Sequence, residues 1–266
     1  MRIAVTGANG FLGVGIVREL ASRGHEVVAV DWRTDRVEGT SRRIDANLFD
    51  MEDPYVEMGE PDCVIHLAWR DGFRHNSDAH MADLPLHVGL VSKLAASPLK
   101  RLVVMGSMHE VGYFEGGIRA DTPCNPASMY GIAKNAFRQA AQLLCKGSGT
   151  DLQWLRGYYI VDNTPLGSSI FSKICQAAAE GKEAFPFTTG QNQYDFLDYS
   201  NFCVQVADIV TGDSGEGVYN VSSGRPEKLA DRVERFIQEN GLDIKLEYGV
   251  YPDRPYDSPA VWGAQQ

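Results

Sequence analysis

The stretch Thr6-Gly7-Ala8-Asn9-Gly10-Phe11-Leu12-Gly13 decides the fold of this chain. It follows a short apolar run at residues 2–6 and opens a helical pattern at residues 11–23. A glycine-rich turn between a strand and a helix lets backbone N–H groups approach the phosphates of a dinucleotide. The first two glycines leave room for that approach, and the third lets the helix sit against the strand. The setting predicts a dinucleotide-binding unit at the start of the chain.

Short β-rich runs alternate with helical patterns through the first half of the chain, the order that builds a parallel sheet covered on both faces. The predicted strands are residues 2–6, 26–30, 43–46, 63–68, 101–106 and 152–156, and the predicted helices are residues 11–23, 79–96 and 128–146. After Arg156 the alternation fades, with helices predicted at 168–181 and 227–240 and strands at 184–187, 194–197, 218–221 and 244–248. We therefore predict a Rossmann-type, doubly wound α/β fold over residues 1–160. A small, reduced substrate-binding lobe is expected over residues 161–266, with a soft boundary inside one compact unit.

The composition is that of a globular protein with an acidic balance. The 266 residues carry 25 Lys and Arg against 35 Asp and Glu, a net charge of -10. Such a charge repels phosphate backbones and anionic membranes, so neither nucleic acid nor a membrane is expected as a partner. The five cysteines form no C-x-x-C pair, and their odd number argues against a disulfide framework. The apolar start at residues 3–17 is too short to span a bilayer, and no spacing matches a metal-ligand template, so we expect a cytoplasmic protein without a metal.

Asp31 closes the second predicted strand, about twenty residues beyond the glycines. At this position a carboxylate can accept hydrogen bonds from the hydroxyls of the adenosine ribose, which favours NAD. Arg33 and Arg36 follow directly and can instead pair with the 2′-phosphate of NADP, or remain solvated charges of a loop. NAD is the predicted cofactor, and NADP is the alternative.

Tyr130 and Lys134 form the candidate catalytic pair. They stand four residues apart, hence on one face of the helix predicted from Ser128. A tyrosine with its ordinary pKa of about 10 is a poor acid or base at neutral pH, and a fixed ammonium nearby stabilises the phenolate. The pair lies one βα unit after a strand that ends in Gly106-Ser107. Spacing and position together predict that Lys134 lowers the pKa of Tyr130, which then acts as the acid/base.

With these signals in order, the chain resembles the extended short-chain dehydrogenase/reductase family, also called NAD-dependent epimerase/dehydratases. The resemblance runs from Thr6–Gly13 through Asp45, His66-Leu67-Ala68, Ser107 and Tyr130/Lys134 to Arg254-Pro255-Tyr256-Asp257. It implies that Asp45 and Ala46 contact the adenine and that Lys134 also holds the ribose. The implied cofactor-binding residues are Gly7, Asn9, Gly10, Phe11, Leu12, Gly13, Asp31, Arg33, Asp45, Ala46, Leu67, Ala68, Trp69, Tyr130, Lys134 and Tyr158. Family habit also predicts a homodimer built on the two long helices.

The substrate end departs from the family pattern at one position. Where relatives carry a Ser or Thr three residues before a Val-Tyr-Gly turn, this chain has Met108, which has no hydrogen bond to donate. Ser107 is the expected substitute. The run Ser107-Met108-His109 resembles the Ser-x-His pattern of uronate dehydrogenases, in which the histidine faces the sugar. Arg254 resembles an arginine that binds the pyrophosphate of a sugar-nucleotide substrate in this family. The expected substrate-binding residues are Ser107, Met108, His109, Tyr159 and Arg254.

These residues predict an NAD(P)-dependent oxidoreductase that transfers a hydride to or from a sugar carbon, with Tyr130, Lys134 and Ser107 as catalytic residues. A nucleotide-sugar ketoreductase or dehydrogenase is the first interpretation. A nucleotide-sugar 4-epimerase that retains its NAD uses the same residues, and the Ser-x-His run keeps a free sugar or uronate dehydrogenase open. A non-catalytic dinucleotide-sensing protein is disfavoured because Tyr130 and Lys134 are both intact. A dehydratase is disfavoured because relatives of that kind carry an Asp-Glu pair where this chain has His109-Glu110.

Overall fold

The computed structural model describes residues 1–163, 169–253 and 257–264. The strands are β1 (Arg2–Thr6), β2 (Glu26–Asp31), β3 (Arg42–Asp45), β4 (Cys63–His66), β5 (Arg101–Ser107), β6 (Gly116–Ile118), β7 (Asp151–Gly157), β8 (Tyr159–Val161), β9 (Ala184–Pro186), β10 (Gln193–Asp198), β11 (Gly217–Val221), β12 (Pro226–Lys228), β13 (Lys245–Glu247) and β14 (Ala260–Gly263). The helices are α1 (Phe11–Ser22), α2 (Pro54–Glu57), α3 (Ala79–Ala95), α4 (Met129–Cys145), α5 (Ile170–Ala179), α6 (Tyr199–Thr211) and α7 (Leu229–Glu239). A 3-10 turn, Met108–Glu110, follows β5.

The chain divides into two compact units. Unit 1 contains Met1–Gly112, Pro123–Gly157 and Ser200–Val221, and unit 2 contains Tyr113–Thr122, Tyr158–Tyr199 and Ser222–Gln266. The boundary expected near residue 160 thus lies close to the junction at residues 157 and 158. The sequence prediction differs from the structure for residues 200–221, which were expected in the lobe.

Unit 1 is built on a seven-stranded sheet in the order β11-β7-β5-β4-β1-β2-β3, and every pairing in it is parallel. Its central strands are nearly continuous apolar runs, with β4 buried throughout and β5 buried beyond its first residue, as expected when helices cover both faces. The strand order reverses between β1 and β4, the switch point at which such sheets bind ligands beyond their carboxyl ends. The predicted Rossmann-type α/β fold is confirmed.

Residues 200–221 belong to unit 1 because β11 extends the parallel sheet. Val218 pairs with Trp154 in the register of β11 on β7. Gln153 Nε2 donates to the carbonyl of Ser214 at 2.6 Å, and Arg101 Nη1 donates to the carbonyl of Gly212 at 3.2 Å. Unit 1 therefore resumes its βα alternation after the segment 158–199. The sequence pattern did not reveal this return, and it did not predict α6.

Unit 2 contains a five-stranded sheet in which β12, β10, β14 and β6 are neighbours in that order and β8 also pairs with β10. Phe171 packs on Phe196 and Phe236, with ring centroids 5.9 and 5.0 Å away. Asp195 has no exposed surface, and its carboxylate accepts from the amides of Ser223, Gly224 and Gly263 at 2.7, 2.9 and 3.1 Å. This carboxylate ties β10 to the turn after β11 and to β14.

Among the described residues, no helix combines the length and the apolar character that crossing a bilayer requires.

Candidate active site

The glycine turn after β1 has the close approaches that the sequence predicted. Gly7 adopts a φ of +71°, and a Cβ there would lie 2.6 Å from the backbone nitrogen of Ala68, the second residue after β4. A Cβ on Gly13 would lie 2.3 Å from the carbonyl oxygen of Gly7. Gly10 precedes α1 in extended conformation and provides no side-chain cap for its N-terminus. The turn therefore leaves the positive end of α1 suited to an anionic ligand such as a pyrophosphate.

Asp31 lies at the carboxyl end of β2, next to this turn. Its carboxylate accepts from the amide of Asn9 at 2.9 Å and from the amide of Trp32 at 2.7 Å. Asn9 in turn accepts from the amide of Arg36 at 2.8 Å. Asp31 is half-buried and keeps lone pairs for further donors, which is what recognition of ribose hydroxyls requires. Arg33 is exposed beside it.

The adenine-side residues and those after β4 lie at the same edge of the sheet. Thr34 Oγ1 donates to Asp45 Oδ1 at 2.7 Å, and the amide of Ala46 donates to the carbonyl of Asp31 at 2.9 Å. The amide of Leu67 donates to the carbonyl of Thr6 at 3.0 Å, which continues the pairing of β4 with β1. The structure thus brings the glycine turn, Asp31, Asp45, Ala46 and Leu67 to the carboxyl ends of β1, β2, β3 and β4.

Ser107 and Tyr130 meet at the carboxyl end of β5. The side chains of Ser107 and Tyr130 interact, and Ser107 Oγ accepts from the amide of His109 at 3.3 Å. Ser128 begins α4 by accepting from the amide of Gly131 at 3.1 Å, which places Tyr130 in the first turn of the helix. Met108 is buried, with 7% of its surface exposed. The hydroxyl beside the candidate acid/base therefore belongs to Ser107.

Lys134 points into unit 1 beneath Tyr130. Its Nζ donates to the carbonyl of Met105 at 2.8 Å and lies 3.7 Å from the centroid of the Trp69 ring. The same Nζ is 5.9 Å from the centroid of the Tyr130 ring. Lys134 is 3% exposed, so its ammonium is held by a carbonyl and an aromatic face rather than by water.

Burial controls the protonation of this pair. It raises the pKa of Tyr130 to about 12, an effect that the hydrogen bond with Ser107 partly opposes. Burial also lowers the pKa of Lys134 to about 7, against the attraction of the Glu110 carboxylate. The pKa of Tyr130 is thus shifted in the direction opposite to the predicted effect of Lys134, because desolvation disfavours the phenolate. Desolvation therefore favours the protonated phenol of Tyr130.

Five of the six histidines gather around Tyr130 and Trp69. The ring of His75 stacks on that of Tyr130 at 5.4 Å and an interplanar angle of 11°, and His109 lies 4.4 Å from His75. His80 accepts from Trp69 Nε1 at 3.0 Å through its Nδ1. The remaining two, His66 and His87, form a buried pair with Nε2 and Nδ1 2.9 Å apart. This cluster was not predicted from the sequence.

A second group missed from the sequence lies behind the 3-10 turn. Glu110 has no exposed surface and forms an ion pair with Arg156, whose Nε lies 2.6 Å from Oε1. Trp154 Nε1 donates to the other carboxylate oxygen at 2.8 Å. The partners are 46 and 44 residues away along the chain, so no local spacing signals the contact.

Two predicted site residues belong to unit 2, and a third is not among the described residues. Tyr158 is buried in unit 2, and Tyr159 begins β8 in the same unit, with its ring 4.5 Å from that of Tyr194. Arg254 lies outside the described residues. Unit 2 contains a cavity of about 480 Å³ lined by residues that include Thr189, Asp231 and Tyr248, and none of its described lining residues is a predicted site residue.

A profile of the family described as "NAD dependent epimerase/dehydratase family" matches residues 3–222. The chain belongs to this family. The resemblance drawn from the sequence is confirmed, and with it the prediction of a nicotinamide-dependent enzyme of the extended short-chain dehydrogenase type. The matched residues include the glycine turn, Ser107, Tyr130 and Lys134.

Relatives within the epimerase/dehydratase family include a dTDP-6-deoxy-L-talose 4-dehydrogenase (NAD(+)) of Aggregatibacter actinomycetemcomitans. It is 40% identical to this chain over the full length of both proteins. A 2'-dehydrokanamycin reductase of Streptomyces kanamyceticus is 26% identical and aligns with all of this chain and 72% of its own. The solved UDP-glucose 4-epimerase of Thermus thermophilus, in complex with NAD, has a TM-score of 0.81 at 21% identity, covering 99% of this chain and 90% of the epimerase. The last comparison shows the shared fold.

Proposed function

We propose that this chain is an NAD-dependent oxidoreductase that interconverts the C4 hydroxyl and the C4 ketone of a dTDP-6-deoxyhexose. The observation that carries the chemistry is the placement of Ser107 at the end of β5 and of Tyr130 in the first turn of α4, where the two side chains interact, within a chain of the epimerase/dehydratase family. The full-length relative at 40% identity supports the substrate class and the choice of NAD.

The glycine turn fits the proposed cofactor. Side chains at Gly7 and Gly13 would collide with the backbone of Ala68 and of Gly7, so this strand–helix turn admits only glycine. Asp31 beside it favours a ribose with a free 2′-hydroxyl over one that carries a phosphate, because two anions repel each other. When bound, NAD supplies the hydride acceptor of the oxidation, and NADH supplies the hydride donor of the reduction.

Tyr130 and Ser107 have different roles at the sugar oxygen. In the reduction, Tyr130 donates its phenolic proton to the C4 oxygen as the hydride arrives, and Ser107 donates a hydrogen bond that polarises the carbonyl. A pKa of Tyr130 of about 12 keeps the phenol protonated and suits this direction. In the oxidation the proton returns to Tyr130, which therefore has to be ionised first.

A free-uronate dehydrogenase is the second candidate, and the position of His109 beside His75 and Tyr130 supports it. Imidazoles next to the reacting oxygen can bind a sugar carboxylate as hydrogen-bond donors.

One substrate panel tests both candidates. The purified protein is assayed with NAD and NADP against dTDP-6-deoxy-L-talose, other dTDP-, UDP- and GDP-sugars, free hexoses and free uronates. We expect NADH formation with the dTDP-6-deoxyhexose, and a loss of about tenfold to a hundredfold in kcat/KM for Arg254→Ala if its guanidinium holds the pyrophosphate. Turnover of free uronates alone, unaffected by Arg254→Ala, would contradict a nucleotide-sugar substrate. Epimerised product without net NADH would instead identify a 4-epimerase with retained cofactor.

We also propose that the protein is a cytoplasmic homodimer in which α3 and α4 of one copy pack on those of a second. Met81 and Leu86 on α3 and Ile132 and Leu143 on α4 are exposed apolar side chains, with exposed fractions from 39% to 74%. The substitution Leu143→Glu should convert the dimer to a monomer in light scattering coupled to gel filtration. Val56→Glu, which changes an exposed apolar residue of α2, serves as the control.

A further inference from the structure

Glu110 is a fully buried carboxylate and the last residue of the 3-10 turn that follows Ser107 and contains His109. Arg156 Nε donates to Oε1 at 2.6 Å, and Arg138 Nε lies 3.6 Å from the same oxygen. Trp154 Nε1 donates to Oε2 at 2.8 Å. Arg156 and Trp154 belong to β7 and Arg138 belongs to α4, so one side chain connects the turn to a strand and to the helix of Tyr130.

Close packing surrounds this connection. A Cβ on Gly106 would lie 2.1 Å from Trp154 Nε1, so the indole reaches Glu110 only because residue 106 is glycine. A Cβ on Gly131 would lie 2.3 Å from the carbonyl oxygen of His109, so α4 touches the turn backbone directly. The turn is therefore held against α4 on one side and against β7 on the other.

The same geometry argues against a proton-exchanging role for Glu110. Its two oxygens accept from Arg156 and Trp154, and protonation of the carboxylate would weaken a buried ion pair. Leaving the Arg156 guanidinium unpaired in a buried site is strongly unfavourable. In this chain the glutamate that follows His109 is engaged by structural partners.

We propose that Glu110 is a positioning residue that holds Ser107 and His109 against Tyr130 by tying the 3-10 turn to β7 and α4. It acts through these residues and does not exchange a proton with the substrate. The proposal rests on the proposed function, because it assigns Glu110 a part in that reaction.

The first test replaces the charge while keeping the shape. Glu110→Gln should lower kcat by about tenfold to a hundredfold, because small displacements of catalytic groups have effects of that size. The KM for the dTDP-sugar and the Kd for NADH should stay within about threefold, since the glycine turn and Asp31 are elsewhere in unit 1. Glu52→Gln, which removes an exposed carboxylate of the same unit, should match the wild type. A kcat for Glu110→Gln within about twofold of the wild type would overturn the proposal.

The pH profile separates positioning from proton exchange. The Glu110 charge raises the pKa of both Tyr130 and Lys134, so its removal should move the limbs of the kcat profile to lower pH while both limbs persist. The disappearance of one limb in Glu110→Gln would show that Glu110 itself exchanges a proton, contrary to the proposal.

A readout without turnover distinguishes failure of this proposal from failure of the proposed function. In protein with isotopically labelled histidines, Glu110→Gln should shift the imidazole signals of His109 and of its neighbour His75 and leave that of His25 in place. Arg138→Gln, whose side chain is 14% exposed and whose loss the fold should tolerate, should shift the same two signals to a smaller extent. Unmoved signals of His109 in both variants would refute positioning even if no dTDP-sugar is turned over.

Discussion

His66 and His87 are held neutral inside unit 1, and acidification should unfold the protein by forcing protons onto them. Each is 2% exposed, His66 lies 2.7 Å from the hydroxyl of Thr6, and the two rings are hydrogen-bonded to each other. Burial, with the nearby charge of Lys134, lowers the pKa of His66 to about 3. Burial, with the effects of His66 and Lys134, lowers the pKa of His87 to about 2.

The sign follows from proton binding. Between pH 6.5 and 3 the unfolded chain binds protons at both residues and the folded chain does not, so the free energy of unfolding falls as the pH falls. At pH 5 each histidine lowers the free energy of unfolding by about 2 kcal/mol relative to neutral pH, and the two together lower it by about 4 kcal/mol. That is a large share of the roughly 5–15 kcal/mol by which domains are stable.

Urea unfolding followed by tryptophan fluorescence, from pH 7.5 to 5, measures this dependence. His87→Gln should reduce the slope between pH 6 and 5 by about 1.4 kcal/mol per pH unit, the contribution of one proton. His25→Gln is the control, because His25 is half-buried and takes no part in the buried histidine pair. A wild-type stability that stays constant from pH 6.5 to 5, or equal slopes in His87→Gln and the wild type, would refute the assignment of buried neutral imidazoles.

Four further predictions concern the active site. Tyr130→Phe should lower kcat by more than about a hundredfold, because it removes the phenolic oxygen. The affinity for NADH, measured by fluorescence, should stay within a few-fold of the wild type. Turnover within about tenfold of the wild type would exclude Tyr130 as the acid/base. In steady-state assays, Ser107→Ala should lower kcat strongly and Met108→Ala should lower it mildly, because only Ser107→Ala removes a hydroxyl beside Tyr130. A larger loss of kcat in Met108→Ala than in Ser107→Ala would mean that Ser107 does not bind the substrate oxygen. Asp31→Ala should lower the affinity for NAD more than the affinity for NADP in binding titrations. A wild-type protein that already binds NADP about tenfold more tightly than NAD would contradict the cofactor assignment. Gly13→Ala should abolish NADH binding or folding, because its Cβ would lie 2.3 Å from the carbonyl oxygen of Gly7, and normal binding would show that the turn adapts.

Local patterns predicted what depends on neighbouring residues. The glycine turn, the face shared by Tyr130 and Lys134, and the hydroxyl at Ser107 depend on spacing within one turn or one helix. The predicted bounds of the strands of the central sheet agree with the structure within one residue, except at the end of β4, which comes two residues earlier than predicted. The family resemblance could then be stated from these motifs alone.

The remainder depends on contacts between distant segments. Glu110 meets Arg156 across 46 residues, and the carbonyl of His75 accepts from the amide of Tyr130 at 2.8 Å across a longer separation. The protonation of Tyr130 was predicted in the wrong direction because the sequence shows a neighbouring charge but not the depth of burial. Likewise, β11 is recognised as part of the main sheet only from its pairing with β7.

The position of β14 has a consequence for the order of synthesis and folding. It lies between β10 and β6 in the sheet of unit 2, and its Gly263 donates to the buried Asp195. Residues 260–263 are thus an interior strand translated some 140 residues after its neighbour β6, as the numbering of the two strands shows. A nascent chain on the ribosome can form the sheet of unit 1 once β11 has emerged, but the sheet of unit 2 stays divided until residues 260–263 have left the exit tunnel.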